Sequence, residues 1–287
     1  MANILSLKRR IQTAQNVSKT TKAMQMIATS KLKRAQDAAL SSREYVEKLT
    51  RITKNITSEI DEKNKSGYMK TNPNINTALV IVLSPDKGLC GGFVTNLTKE
   101  LLSQDGILKN VKYLTVGKKL EGTIVRLDKQ ILASFPFGTT LPLFDAVYPI
   151  AKIIDDEFLG GKVSEVKILY NHFLTVFTQI PKVQTLLPIN IEADRESKSK
   201  EFALFEPDVK SILPSILKHY LEMNIHQFLL ESYASEQAAR MIAMKNATEN
   251  AQDIIEDLKL EYNKQRQEKI TNEILDIGSG ASFLMYD

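Results

Sequence analysis

Residues 1–66 and 215–277 contain neither glycine nor proline. The chain is not poor in either, with 12 glycines and 9 prolines among its 287 residues. All the prolines lie between Pro73 and Pro214, and all the glycines between Gly67 and Gly161, apart from Gly278 and Gly280. Proline removes a helical hydrogen bond and clashes with the preceding turn, and glycine inside a helix costs ~1 kcal/mol relative to alanine. Two terminal segments spared both residues are therefore predicted as long uninterrupted helices, with the tight turns confined to the region between them.

At alternating spacings of three and four, the first segment reads Ile4, Leu7, Ile11, Ala14, Ser18, Thr21, Gln25, Ala28, Leu32, Ala35, Ala39, Ser42, Val46, Leu49, Thr53, Ile56 and Ile60. This is a heptad-like seam. Its middle consists of Ala, Ser, Thr and Gln, so a partner helix can approach closely but buries little apolar surface there, and the pairing is weaker than a leucine seam. Helical throughout, about 60 residues at ~1.5 Å each extend roughly 90 Å. The second segment carries Leu217, Leu221, Ile225, Phe228, Ala238, Ile242, Ile255, Leu258 and Tyr262 near one stripe. Pro207 and Pro214 precede it, with Asp208 or Ser211 available as amino-terminal caps. Neither stripe can be hidden alone. The two helices are expected to pair, antiparallel because a compact region joins them, with the small residues Ala234, Ser235, Ala238 and Ala239 where they cross.

The middle of the chain reads as α/β. TALVIVLS (77–84) has the pattern of a buried strand, PDKGLCGGF is a turn, Val94–Leu102 is helical and VKYLTVG (111–117) is a second strand, which together make a βαβ unit. Phe144–Phe158 reads as a helix and VKILYNHF (166–173) as a strand. TVFTQIPKVQTLLPI is a further extended hairpin or edge pair, and ADRESKSKE (193–201) a charged loop. The fold class is thus α/β: a long antiparallel two-helix coiled coil of the terminal segments with a central Rossmann-like α/β domain. The expected divisions are 1–66, 67–207 and 208–287.

Little in the sequence resembles an assembled active site. Gly88, Gly91 and Gly92 follow a strand, but their spacing fits neither the dinucleotide fingerprint nor a phosphate loop, and they read as a tight strand-to-helix turn that needs glycine dihedrals. Cys90 is the only cysteine, so no internal disulfide or multi-cysteine metal site exists, and it has no nearby histidine to activate it. His219 and His226 sit seven apart on a helix without a carboxylate cluster in a ligand spacing and read as ordinary helix residues. Asp155, Asp156 and Glu157 read as a solvated helix face. No cofactor, metal or catalytic residue is expected. No apolar run approaches the ~20 residues that span a bilayer, and the amino terminus has no secretory pattern.

Charge is distributed unevenly. The net charge is +4, yet residues 1–36 contain Lys8, Arg9, Arg10, Lys19, Lys22, Lys31, Lys33 and Arg34 and no acid before Asp37. Such a block fits a nucleic-acid or membrane surface, a helix facing an acidic protein, or a plain solvated face; a presequence is the weakest reading, because cleavage would fall inside the helical pattern. A nucleic-acid-binding coiled coil and a small-molecule enzyme in the α/β region stay open as rival functions at this point.

Four blocks, SKTTKAMQMIATSKLKRAQ (18–36), SPDKGLCGGF (84–93), ASEQAARMIAMKNATENA (234–251) and ITNEILDIGSGAS (270–282), occur in the order, and over nearly the whole length, in which they occur in the gamma subunit of F-type ATP synthases. The chain resembles that family. The resemblance implies a non-catalytic rotor shaft: paired terminal helices standing inside a hexamer of alpha and beta subunits, with a foot on the membrane c-ring beside the epsilon subunit. Proton flow turns the foot, and the shaft drives ATP synthesis or hydrolysis at the beta sites. Nucleic acid is not a partner in this reading, and the chain does not insert into the membrane.

Carried over by position, Met24 and Arg240 match residues near an acidic lever of a beta subunit, where Lys31, Lys33 and Arg34 add attraction. Arg266 and Gln267 match a contact with a hexamer loop, and Thr271 and Glu273 lie one turn on. Phe205 and Glu206 match the foot segment touching the ring and epsilon. Gly278 stands where the family commonly keeps an apolar residue, so fraying of the helix tip is expected. The two-cysteine loop of chloroplast members is absent, so thiol control is not expected. A chain that starts directly with its seam points to a bacterial protein at the cytoplasmic face of the cell membrane.

Overall fold

The computed structural model describes residues 4–58, 66–70, 75–107, 110–190 and 208–283. Helix α1 runs Ile4–Ser58 and α5 runs Val209–Phe283. Between them lie β1 (Thr77–Leu83), α2 (Phe93–Ile107), β2 (Asn110–Val116), α3 (Glu121–Arg126), β3 (Gln130–Phe135), α4 (Val147–Phe158), β4 (Glu165–Phe173) and β5 (Gln179–Leu187). The strands form one sheet in the order β3-β2-β1-β4-β5. The first four are parallel and β5 is an antiparallel edge. The α/β reading and the two long flanking helices are therefore what the chain adopts. Ile60 of the seam and the 193–201 loop lie outside the described residues.

Strand β1 sits at the centre, paired on both sides, and Leu79 to Leu83 are each at most 1% exposed. This is why its sequence is a continuous apolar run without alternation. On one face Val80 and Val82 pack with Phe93, Leu97 and Leu101 of α2 and with Val111 and Tyr113 of β2. Helix α4 buries Val147, Ile150, Ala151, Ile154 and Phe158, the three-and-four spacing of a one-sided helix. Helix α3 and strand β3 are absent from the sequence reading. Neither carries a strong period, since α3 is six residues long and β3 is an edge strand that is only partly buried.

The glycine turn uses a glycine dihedral at Gly91, φ 59°, and a second left-handed residue there is Leu89, at φ 64°. Two expectations need correction. Pro214 lies inside α5 rather than before it. The helix starts upstream because the Asp208 carbonyl accepts from the N–H groups of Ser211 and Ile212 (3.1 and 3.4 Å), while its carboxylate accepts from the Ser211 hydroxyl (2.8 Å). Buried Leu213 and Leu217 then hold the turn that contains the proline. Near the other end the helix continues through Gly278 and Gly280 to Phe283.

The acidic run on α4 is also not a uniformly solvated face. Asp155 accepts a hydrogen bond from the Tyr68 hydroxyl (2.8 Å), and Glu157 is buried, bonded by Lys112 (2.8 Å) and Lys162 (3.0 Å). Burial alone would push the Glu157 carboxyl up, but the two lysine hydrogen bonds and their charges hold it below its usual value. A depressed carboxyl adds stability above the unfolded value, and that stability is lost as pH falls through the folded one. Glu157→Gln is therefore expected to cost about 1 kcal/mol near pH 7, with the gap to wild type closing as urea titrations are taken below pH 4.5.

Candidate coupling surface on the terminal helices

The described chain divides into two compact units, Met1–Ile27 with Met241–Asp287, and Ala28–Arg240. In both, α1 and α5 are in contact. In the first, the Thr21 and Thr248 hydroxyls share a hydrogen bond of 2.8 Å, and in the second Arg43 reaches Glu231 (3.0 Å) and Tyr45 meets His219 (2.9 Å). Within the second unit, rising numbers on α1 meet falling numbers on α5. Every described residue of the predicted α1 seam is buried or half-buried, including its polar members Ser18, Thr21, Gln25 and Thr53. A seam of small polar residues closes by hydrogen bonding where a leucine seam would close by area.

In the first unit Met24 is half-buried near this seam, while Met26 and Ile27 beside it are 64% and 57% exposed. Arg266, Gln267, Thr271 and Glu273 are all exposed, and Glu273 pairs only loosely with Lys269 (3.6 Å). Ile270, Ile274 and Leu275 in the same stretch are exposed as well. Contiguous exposed apolar patches are where interaction sites are commonly found. The sequence reading singles out the polar residues of this stretch and misses its isoleucines; the signal that could have found them is their position off the seam.

In the second unit the basic residues fare differently. Lys33 and Arg34 are exposed. Lys31 is half-buried, its Nζ donating to the Thr139 carbonyl at 2.5 Å. Arg240 is held by its own chain: Nη2 lies 2.7 Å from Glu236 Oε1 and 3.4 Å from the carbonyls of both Lys87 and Gly88 in the glycine turn. Glu236 is buried, and among the described residues its second oxygen has no hydrogen-bond partner. Burial pushes its carboxyl up, against the pull of Arg240. Burial likewise pushes the Cys90 thiol up, away from the thiolate a nucleophile needs.

A second hub is not readable from the sequence. Glu231 accepts from Arg43 of α1, from Gln227 one turn back, and faces His172 Nδ1 of β4 at 2.6 Å. One carboxylate on α5 thereby ties α1 to the sheet. Phe205 and Glu206 lie outside the described residues.

The family model described as ATP synthase matches residues 3–284. A chain named ATP synthase gamma chain from Dehalococcoides mccartyi is 38% identical over 99% of this chain and all of its own length. The chain belongs to the ATP synthase gamma-chain family. A gamma chain from Pelagibacter ubique is also 38% identical, again covering 99% of this chain and all of its own. Among solved structures, the central stalk and c-ring of Tetrahymena thermophila mitochondrial ATP synthase contains a chain similar at TM-score 0.61 and 25% identity, over 79% of this chain and 99% of that one. The rotor of Euglena gracilis mitochondrial ATP synthase shares the fold at TM-score 0.66 and 17% identity, over 93% and 98%. Family membership accounts for the four sequence blocks and makes the chain a subunit of an enzyme complex. Among the described residues no helix is long and apolar enough to cross a membrane.

Proposed function

We infer that the chain is the central rotor of an F-type ATP synthase, a shaft without catalytic residues that couples proton movement through a membrane ring to ATP synthesis and hydrolysis. The observation that carries this is full-length likeness to chains named gamma, at 38% identity over 99% of this chain. In this reading the functional divisions fall near residues 66 and 207, so that the terminal helices work against other subunits and the central domain serves as the foot. The alpha and beta subunits take the faces bearing Met24, Lys31, Lys33, Arg34, Arg240, Arg266, Gln267, Thr271 and Glu273. Phe205 and Glu206 face the c-ring and the epsilon subunit. The complex works at the cytoplasmic face of a bacterial membrane, with this chain held there by its partners.

The exposed residues of the 266–275 stretch give the reading physical support, since a shaft turning inside a bore needs contacts that form and break. Partly exposed polar pairs are worth ~0 to 1 kcal/mol each, weak enough to exchange partners at every step. Reconstitution tests both levels of the reading. An alpha and beta hexamer with the membrane ring should make ATP from a proton gradient only when this chain is added. Unchanged synthesis without it rejects the rotor. In the same assay Arg266→Ala with Gln267→Ala is expected to lower synthesis about fivefold with assembly intact, the size of effect that one such polar pair can carry; wild-type rates would remove these residues from the set that meets the hexamer.

A further inference from the structure

The central sheet has a topological switch point between β1 and β4. From β1 the chain moves outward to β2 and β3 on one side, and β4 then takes the other. In open parallel sheets the crevice beyond the carboxyl ends of the strands at such a point is where ligands bind. Strand β4 also overshoots β1 there. The last pair between them is Val82 with Leu169, so Asn171, 1% exposed, has no strand partner on its β1 side among the described residues. A buried backbone N–H and C=O without partners is costly, and in a nucleotide-binding sheet a ligand or water would meet such groups.

Here α5 meets them. The Ser232 hydroxyl accepts from the Asn171 N–H (3.2 Å), and the Ser235 hydroxyl donates to the Asn171 carbonyl (3.1 Å). Both serines are buried, Ser235 completely. Two turns on, Arg240 bonds the carbonyls of Lys87 and Gly88 in the loop after β1, and Ala239 packs against the core cluster that includes Cys90 and Phe93. Residues 229–238 are buried without interruption, as a helix enclosed on all sides must be. Ser235 and Ala239 thus face the sheet, although their size alone fits a close helix crossing equally well.

We propose that Ser232–Arg240 of α5 is a built-in occupant of the switch-point crevice, a latch that fixes the rotational phase of the helix on the sheet domain, so that the crevice transmits twist where related sheets hold a ligand. Ser232, Ser235 and Ala239 share one helix face and Arg240 stands at its edge, each residue along a helix turning it by about 100°. A slip of a single residue would therefore break both serine bonds and the arginine bonds together. The latch is all-or-none for that geometric reason. It rests on the rotor reading, since only a chain that carries torque needs its helix held in phase.

Ser232→Ala with Ser235→Ala removes both bonds to Asn171 and touches none of the residues assigned to the hexamer. In the assembled complex the Asn171 amide should exchange with deuterium about thirtyfold faster, the change in local opening that two such bonds allow. Protons pumped per ATP hydrolysed should fall while hydrolysis continues. An unchanged pumping ratio overturns the latch, as does unchanged exchange. If the double variant does not assemble, each single serine variant is read by the same two measurements, with about fivefold faster exchange for Ser232→Ala. Failure of the rotor reading would look different: pumping by the wild-type complex would then not depend on this chain at all.

Discussion

Gly117→Ala is expected to destabilise the sheet domain by about 4 kcal/mol, near the top of what single substitutions cost. Gly117 has φ +100°, and a Cβ there would lie 1.7 Å from the carbonyl oxygen of Ser84. Neither side can yield cheaply. The Gly117 N–H donates to the Phe135 carbonyl (2.7 Å), and the Ser84 hydroxyl donates to the Gly117 carbonyl (3.0 Å), so this residue joins the carboxyl ends of β1, β2 and β3. Thermal unfolding followed by circular dichroism should show a drop of roughly 10 °C. Gly138→Ala is the control. Its φ is +84° with nothing within 4 Å of the added carbon among the described residues, so it carries the backbone cost alone, about 1 kcal/mol. Equal losses in the two variants would show that the approach to Ser84 is not what makes Gly117 necessary.

Arg240→Ala is the second large effect, a loss of about 3 kcal/mol. The arginine side chain is 15% exposed and pairs with a buried carboxylate whose other oxygen already lacks a partner among the described residues. Removing it leaves Glu236 buried and unpaired and releases the Lys87 and Gly88 carbonyls. The variant should also show a steeper pH dependence than wild type, of known sign. Burial raises the Glu236 carboxyl in the folded chain, and without Arg240 only the weaker pull of Lys31 opposes it. A raised acid binds more protons folded than unfolded, so stability falls as pH rises from the ordinary carboxyl value toward the raised one. Urea midpoints of Arg240→Ala should therefore improve from pH 7 toward pH 5. Adding Glu236→Gln should recover part of the loss at pH 7 and flatten the dependence. A pH-independent loss that Glu236→Gln does not relieve would place the cost elsewhere.

Both predictions fall in the crevice-facing part of the fold, which the sequence conveys poorly. Ser232, Ser235 and Asn171 are common polar residues, and nothing in their order announces that two hydroxyls of a distant helix will satisfy one overshooting strand. Glu231 and Glu236 carry no signal of their own in the sequence, because an amphipathic stripe implies a solvent side opposite it. That side is absent here, since the sheet occupies it. Asp155 and Glu157 depart from their solvated reading for the same reason: a charge run says nothing about the lysines and tyrosine that other elements bring to it. The short α3 and the half-buried β3 escape a sequence reading because neither has enough turns or alternation to stand out from loop.

The candidate contact residues divide along the same line. Met24, Thr271 and Glu273 can be located from motif blocks and Arg266 and Gln267 from their position beside one, and the exposure of the 266–273 set follows simply from being on a helix with one apolar stripe. Lys31 and Arg240 are likewise carried over as hexamer contacts from the sequence, yet the structure ties each to a backbone carbonyl of its own chain.

Local physics, acting along the chain, determined the helices and the central strands: absence of glycine and proline permits one, a seam at three-and-four spacing requires a partner for it, and an unbroken apolar run requires a strand covered on both faces. Those are properties of neighbours in sequence, so they are readable without coordinates. Where α5 stops being half of a coiled coil and becomes the filling of a sheet crevice depends on the register between residues 61 and 64 positions apart, Asn171 with Ser232 and Ser235. Register of that kind is set by the sum of many weak contacts across the whole domain, and only the folded chain carries it.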